Sequence, residues 1–327
     1  MNMNILRQKI SSYFVKQVRA ATEPLRVAAN RSLLLHALQL SQYTQTRSNI
    51  QSIVDVEFSV YSQWGEDGIL AWLIARLPEL PRNFIEFGVG DYVESNTRLL
   101  LQMNNWNGLI IDGLQQNIDS VKLEDIYWRN QLTAKHLFID AENIDNILTD
   151  YAGGNSIGLL SIDVDGNDYW IWEAIKNISP SIVICEYNSL FGDTHAITIP
   201  YDPKFYRTEK HYSNLYFGAS IAALITLGKK KGYQFIGTTS SGVNAFFVRS
   251  DLAPQVLSSL NEVFAYASKV REMRQIDGQL NFANKAEQYA GIKQMSVVNL
   301  TSNTLTSIEA LGHIYSPEWI QSGRVKF

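Results

Sequence analysis

Phe84-Ile85-Glu86-Phe87-Gly88-Val89-Gly90-Asp91 decides the reading of this chain. A short apolar run passes straight into a glycine-bearing turn, and a helical pattern follows over about 93–103. Gly88 and Gly90 let the backbone bend tightly and approach a ligand with no β-carbon in the way. The helix beyond, with Asn96 near its start, offers unpaired N–H groups. Twenty residues on, Gly108-Leu109-Ile110-Ile111-Asp112 reads as a second strand ending in an acid, which suits the two hydroxyls of a ribose. Strand, glycine turn, helix, strand and acid together predict a cradle for a nucleoside-containing cofactor.

The charge pattern chooses among such cofactors. The dinucleotide fingerprint G-x-G-x-x-G/A is incomplete here: the stretch is G-V-G-D-Y-V, and Val93 stands where a small residue allows close helix–strand packing. Glu86, two residues before Gly88, would repel a pyrophosphate and attract an ammonium. S-adenosylmethionine carries an amino group, a sulfonium and a ribose but no phosphate, so it is expected over NAD. The plain alternative is a glycine turn in an α/β domain that binds nothing.

Composition sets the outer limits. The 327 residues suffice for one large domain with additions, and 46% hydrophobic with 18% charged residues is a globular profile. A net charge of −4 argues against general nucleic-acid binding. That charge is uneven: residues 1–50 hold seven Lys/Arg against Glu23 alone, a local +6 that leaves −10 for the remainder. The sole cysteine, Cys185, lies in the apolar run Ile182–Cys185, so it reads as a buried thiol and excludes an internal disulfide or a multi-cysteine metal site. No run of eighteen apolar residues predicts a membrane span, and the N-terminus lacks the apolar core of a secretory signal. A cytoplasmic protein is expected.

Three segments are expected. Residues 1–50 form a basic helical arm: Leu6, Ile10, Phe14 and Val18 recur every four residues among Arg7, Lys9, Lys16 and Arg19. Such a helix suits self-association, packing on its own domain, or peripheral contact with the inner face of an anionic membrane. Gln42–Asn49 is polar and reads as a linker. Residues 51–250 are the main domain. There Ser62-Gln63-Trp64-Gly65-Glu66-Asp67 opens a helix; capping accounts for Ser62 and the acids but leaves Gln63 and Glu66 open to a binding role. Strands at 84–88, 108–112, 134–139, 157–163 and 181–187 alternate with helices at 93–103, 115–125, 143–150, 168–177 and 216–231, which predicts βαβ units and a mostly parallel sheet. Lys229-Lys230-Lys231-Gly232 stops the last helix. Residues 233–237 and 244–248 then form an antiparallel hairpin, a finish that separates the methyltransferase type of Rossmann-like sheet from the dehydrogenase type. Residues 251–327 are a C-terminal helical and irregular appendage, with helical periodicity over about 254–273.

A second group of chemical side chains follows the fourth strand. Leu159-Leu160-Ser161-Ile162-Asp163-Val164-Asp165-Gly166-Asn167-Asp168 empties into three acids, and the fifth strand ends in Glu186, Tyr187 and Asn188. Ligands of open α/β sheets sit at the carboxyl ends of strands, so Asp163, Asp165 and Glu186 are expected in the same crevice as Gly88 and Asp112. There they could hold a hard divalent cation such as Mg²⁺ through oxygen, bind the cofactor amine, or orient a substrate hydroxyl. Asn167 and Asp168 also suit helix capping. His195 and His211 fall in the long segment 189–215, where a loop over the crevice would carry substrate specificity; either could deprotonate a hydroxyl near neutral pH.

Ser62-Gln63-x-Gly65-Glu66-Asp67, Phe84-Ile85-Glu86-x-Gly88-x-Gly90 and Ile162-Asp163-Val164-Asp165-Gly166-x-Asp168 together resemble the FkbM-type S-adenosylmethionine-dependent methyltransferases, over about residues 58–250. The family's usual I-D-V-E-G-x-E carries Asp at both Glu positions here, and its D-x-G-A-x-x-G turn is altered at Glu86 and Asp91. The resemblance implies a class I methyltransferase sheet and O-methylation of a small-molecule or glycan acceptor, often in polysaccharide or natural-product biosynthesis. It implies that Gln63, Glu86, Gly88, Gly90 and Asn96 surround the cofactor's methionine part, Asp112 its ribose, and Ala141 and Glu142 its adenine. Asp163 and Asp165 would face the methyl, with Glu186, Asn188, His195 or His211 binding or deprotonating the acceptor. Two rivals are a metal-dependent glycosyltransferase using Asp163-x-Asp165 on a nucleotide sugar, and a non-catalytic scaffold whose working part is the basic arm.

Overall fold

The computed structural model describes the backbone of residues 3–321, with side chains at residues 17 and 18 and from residue 21 onward. The chain opens with a long helix, α1 (Met3–Thr46), followed by α2 (Glu66–Arg76), β1 (Asn83–Phe87), α3 (Arg98–Met103), β2 (Asn107–Asp112), α4 (Gln115–Leu123), α5 (Asp125–Arg129) and β3 (Leu132–His136). Next come α6 (Ile144–Ala152), β4 (Leu159–Ile162), α7 (Asp168–Ala174), β5 (Ile182–Glu186), β6 (Ile197–Thr198), α8 (Arg207–Lys210), α9 (Ile221–Lys230), β7 (Tyr233–Thr238) and β8 (Asn244–Arg249). The last stretch holds α10 (Ala253–Leu257), β9 (Glu272–Arg274), β10 (Leu280–Phe282), α11 (Lys285–Ile292), β11 (Ser296–Asn299), β12 (Thr304–Ser307) and α12 (Pro317–Gln321).

Seven strands form the central sheet in the order β3-β2-β1-β4-β5-β8-β7. β1 to β5 run parallel, and β8 lies antiparallel between β5 and β7. This is the expected Rossmann-like arrangement, a mostly parallel sheet closed by an antiparallel hairpin. Each strand stands within about three residues of its sequence-based position, because short continuous apolar runs are what a sheet buried on both faces requires. Phe84, Leu159, Ile182, Ile184 and Phe246 enter one apolar cluster, while Ile85, Leu160, Val183, Cys185 and Phe247 enter the cluster on the opposite face. The alternation is the two-residue period of a strand, and it explains the burial of the lone thiol. The order reverses between β1 and β4, and a crevice opens outside the strand ends at such a reversal.

Helix boundaries were harder to foresee. The helix expected over 93–103 starts only at Arg98, and residues 93–97 form a loop. Gln42–Thr46, expected as linker, belongs to α1, which also accommodates Pro24. The helix expected from residue 216 begins at Ile221, where Ser220 accepts the N–H of Ala223 at 3.1 Å. The helical periodicity read over 254–273 yields only α10. Beyond it the backbone of Asn261 and Glu262 bonds to Ile50 and Gln51, and Tyr266 and Lys269 bond to Thr238 and Ser241, so tertiary partners replace the helical ladder. Leu6, Arg7, Lys9, Ile10, Phe14, Lys16 and Arg19, which carry the basic amphipathic pattern, lie outside the described side chains; Val18 is exposed. Among the described residues no helix is long and apolar enough to cross a membrane.

The last third of the chain is tied to the sheet's upper rim. β11 pairs with β12 and with β6, and Ile292, Val297, Ile308 and Ile314 share an apolar cluster with Leu190, Phe191, Phe205 and Phe217 of the long loop. Leu190, Phe191, Ile197, Ile199 and Leu215–Phe217 of the long segment are thereby buried, while Lys204, Tyr206 and Thr208–Lys210 stay exposed.

At the opposite rim the Ser62–Asp67 segment folds around its own acids. The Asp67 carboxylate accepts the backbone N–H groups of Val60, Tyr61 and Ser62 at 2.7, 2.7 and 2.9 Å, and Ser62 Oγ accepts the N–H of Asp67 at 3.0 Å. Glu66 accepts Trp64 N–H at 2.9 Å and the Asn244 side-chain amide at 2.7 Å, joining this loop to β8. A β-carbon at Gly68 would stand 2.0 Å from the Val56 carbonyl oxygen. These bonds hold Gln63 at the crevice mouth. Asp67→Ala strands three buried donors and should lower stability by about 2–4 kcal/mol, measured by urea denaturation.

Candidate functional site

Three contiguous cavities of about 460, 470 and 190 Å³ lie outside the carboxyl ends of β1, β2, β4 and β5. The first two share Gly88, Gly90 and Asp163, so the glycine turn forms the saddle between two lobes of one crevice. Gly88 and Gly90 have φ of +67° and +54°, the left-handed region that L side chains rarely adopt. At Gly88 space is decisive as well: a β-carbon would lie 1.8 Å from the carbonyl oxygen of Asp163.

Asp112, at the end of β2, fixes the saddle. One carboxylate oxygen accepts Gly90 N–H at 2.9 Å, and the other accepts Leu114 N–H at 2.8 Å and the Asn117 side-chain amide at 2.9 Å. Beyond it the first lobe becomes an apolar slot. Leu114 and Phe138 are large apolar side chains left 44% and 48% exposed on its walls, with Leu137 and Ile139 behind them. Ala141 and Glu142, expected beside the adenine, stand further along the loop. There Ala141 N–H donates to the Tyr201 hydroxyl at 3.0 Å and that hydroxyl donates to Glu142. The apolar slot itself is built by 137–139.

Glu86 lies on the floor of the second lobe and organises the loop that replaces the expected helix. One oxygen accepts Asn96 N–H at 2.8 Å; the other accepts the Ser95 hydroxyl at 2.6 Å and the Thr97 N–H at 3.2 Å, with the Thr97 hydroxyl close by. Burial pushes its carboxyl above the usual range, against the pull of these donors. Asn96 in turn donates to Ser161 Oγ at 3.0 Å. The Asn244 side-chain oxygen, buried in the same lobe, has no hydrogen-bond partner. Among the described residues no basic side chain lines this lobe, while Glu86, Asp91, Glu94 and Asp163 all do.

The acids after β4 gather as expected from their strand-end positions. Carboxylate oxygens of Asp163, Asp165 and Glu186 lie within 4.8 Å of one another. Asp165 has φ +55° and receives Arg207 Nη1 at 2.6 Å. Asp168 accepts the N–H groups of Val164 and Gly166 at 2.9 and 3.0 Å, so it shapes the turn rather than facing the crevice. Burial, then the neighbouring Asp165 and Asp168, drive the Asp163 carboxyl well above its ordinary value. Burial and Asp163 do the same to Glu186, one oxygen of which is buried without a partner. Burial would lower the Arg207 guanidinium, but Glu186 and Asp165 outweigh it and the net shift is upward. Burial and mutual repulsion thus oppose full ionisation of Asp163 and Glu186, with Arg207 set against their charge.

The two histidines are not brought to this cluster. His195 Nε2 meets the His313 carbonyl oxygen at 3.2 Å, and His211 Nδ1 meets Ser213 Oγ at 2.7 Å; neither lines the three cavities. Asn188 is spent on the fold, donating to the carbonyls of Leu215 and Phe217 and accepting Leu190 N–H. Their places are taken by residues the sequence did not single out. Asn117 stands in the first turn of α4, Phe138 in the apolar slot, Asn244 in the acidic lobe, and Lys285 on the wall of the smallest cavity. No local motif marks any of them; each arrives from a separate element.

No known family model matches the chain, and no curated protein matches it. Solved structures do. One is an S-adenosylmethionine-dependent methyltransferase from Clostridium acetobutylicum, 10% identical with a TM-score of 0.36, covering 56% of this chain and 90% of that one. Another is the N-terminal domain of EvdMO1, crystallised with S-adenosylhomocysteine and D-fucose, 11% identical with a TM-score of 0.36, covering 67% and 94%. A third is an S-adenosylmethionine-dependent methyltransferase from Mesorhizobium loti, 12% identical with a TM-score of 0.34, covering 57% and 100%. Likeness at this level carries no weight for function, which rests on the side chains of the crevice.

Glu86→Gln preserves shape but turns an amide N–H₂ toward groups that themselves donate. It should cost about 2 kcal/mol, measured by chemical denaturation. Hydrogen exchange at the Asn96 and Thr97 amides should quicken selectively.

Proposed function

We propose that the crevice binds S-adenosylmethionine and that the chain transfers its methyl group to a hydroxyl of a small polar acceptor, a sugar or a related metabolite. The observation that carries this reading is the acidic lobe. It has four carboxylates, an unpartnered amide oxygen on Asn244 and no basic side chain, so it suits an ammonium and a sulfonium and opposes a pyrophosphate. The apolar slot across the saddle, flanked by Leu114 and Phe138, suits a planar base, and Asp112 between them suits a ribose.

When bound, the cofactor supplies a methyl group on positively charged sulfur; the S–CH₃ bond breaks, an O–CH₃ bond forms, and the acceptor hydroxyl loses its proton. The protein's share is placement and that proton. Asp163 borders both lobes at the saddle, and Glu186 faces the 190 Å³ cavity next to it, where Gln63 and Arg207 also stand. Glu186 has a free buried oxygen to accept the hydroxyl proton. Arg207, held on Asp165, stacks over the Phe217 ring at 3.7 Å and bridges this cavity to the slot. Asp163, Asp165 and Glu186 are also a fitting donor set for a hard divalent cation. A cation held there would orient acceptor hydroxyls, sharing Asp165 with the guanidinium.

Ligand-induced thermal shifts test the cofactor. S-adenosylhomocysteine at a hundredfold excess over its Kd stabilises by about 2.7 kcal/mol, a rise of several degrees. NAD or a UDP-sugar with manganese should give no rise. A rise with NAD or the UDP-sugar alone would transfer the assignment to those classes.

The acid cluster predicts the pH profile. Glu186 holds its proton above the ordinary carboxylate range, so the accepting form appears as pH rises. Turnover should therefore climb with pH through a step above that range. Glu186→Gln should remove the step and cut turnover by about 10²-fold. S-adenosylhomocysteine affinity, measured by calorimetry, should stay within a few fold.

A further inference from the structure

The 190 Å³ cavity is bounded on one side by Glu186 and Arg207 and on the other by residues from the last third of the chain. Among the latter is Lys285, the first residue of α11. Its half-buried ammonium donates to the Val270 carbonyl and to Gln288 Oε1, each at 2.9 Å, which uses two of its three N–H donors. Among the described residues no carboxylate lies within ion-pair distance of it. The other charged side chains of the cavity are engaged. Arg207 is paired with Asp165, Glu272 stands 3.5 Å from Arg274, and burial and Asp163 raise the Glu186 carboxyl.

Two neutral acceptors hold the ammonium, but the start of a helix does not favour a cation. A helix begins with the positive end of its dipole, where a lysine is the wrong charge. The cap is already complete, since Asn284 and Glu287 exchange side-chain to backbone bonds. Burial has pushed the ammonium down to about 8. A group kept where dipole and desolvation both oppose it needs a compensating partner. Lys285 lines the cavity, and its partner Gln288, itself 1% exposed, is fixed by bonds to the carbonyls of Val270 and Glu272.

We propose that Lys285 reads an anionic group on the acceptor, so that the substrate is a single-ring polyhydroxylated compound bearing a carboxylate or phosphate besides the hydroxyl that is methylated. This deepens the methyl-transfer reading of the same crevice and rests on it for the identity of the reacting hydroxyl. The cavity has room for about one sugar ring, and its polar rim suits hydroxyls. A charge-assisted hydrogen bond to Lys285 would fix which hydroxyl faces Glu186.

Calorimetry on the full chain, with and without S-adenosylhomocysteine, tests the inference. Glucuronate and glucose 1-phosphate are the anionic probes, and glucose is the neutral control. At least one anionic probe should bind tenfold or more tightly than glucose, and the stronger of the two tells carboxylate from phosphate. Lys285→Met should erase that preference and leave S-adenosylhomocysteine affinity unchanged. Lys285→Arg should retain the preference for anions. Equal binding of charged and neutral sugars, no binding of either anion at 10 mM, or an unchanged preference in Lys285→Met would overturn the proposal. Failure of S-adenosylhomocysteine to bind would instead strike the methyl-transfer reading, because the sugar titrations without it still score Lys285 independently.

Discussion

Between Gly88 and the carbonyl oxygen of Asp163 there is no room for a β-carbon. That contact sets the distance between the ends of β1 and β4 at the one place where the strand order reverses. The saddle, the two lobes on either side and the position of the acid cluster follow from it. Asp112 then locks the turn from the neighbouring strand, and Glu86 locks the loop beyond. The crevice is therefore built largely by backbone held close to backbone, with carboxylates serving as the clamps.

Those clamps give the site its electrostatic character. Glu86, Asp67 and Asp112 each gather backbone N–H groups, so their charge is spread over donors within the fold. Asp163 and Glu186 have no such company; burial and mutual repulsion keep them protonated further up the pH scale. Two kinds of carboxylate thus stand a few residues apart, one kind satisfied by amides and the other available for chemistry. Burial is common to both, and the supply of nearby donors separates them.

The sheet was legible because five apolar runs, each too short for a helix and each followed by a turn, fit only a doubly covered sheet. The convergence of Gly88, Asp112, Asp163, Asp165 and Glu186 was legible because all five sit at strand ends. The rest depended on partners distant in sequence. Ser95–Thr97 have helical spacing, yet Glu86 takes their donors, and no local pattern announces a cap supplied from a strand. Residues 261–269 carry a helix-like pattern, but Ile50, Gln51, Thr238 and Ser241 offer their backbone better bonds. Asn244 and Lys285 could not be read as site residues, because only the folded chain sets them against β1 and β5.

Consider finally the apolar cluster that joins Leu190, Phe191 and Phe217 to Ile292, Val297 and Ile314. It makes the roof over the smaller cavity a separate building from the sheet below. The lobe beside Glu86 is assembled within residues 63–244, whereas β9 and α11 add Glu272, Lys285 and Gln288 to the wall of the smaller cavity. Mutational drift in that late segment can therefore reshape what the roof admits while the glycine saddle stays untouched. In this architecture a ceiling can be exchanged while the platform beneath it is kept.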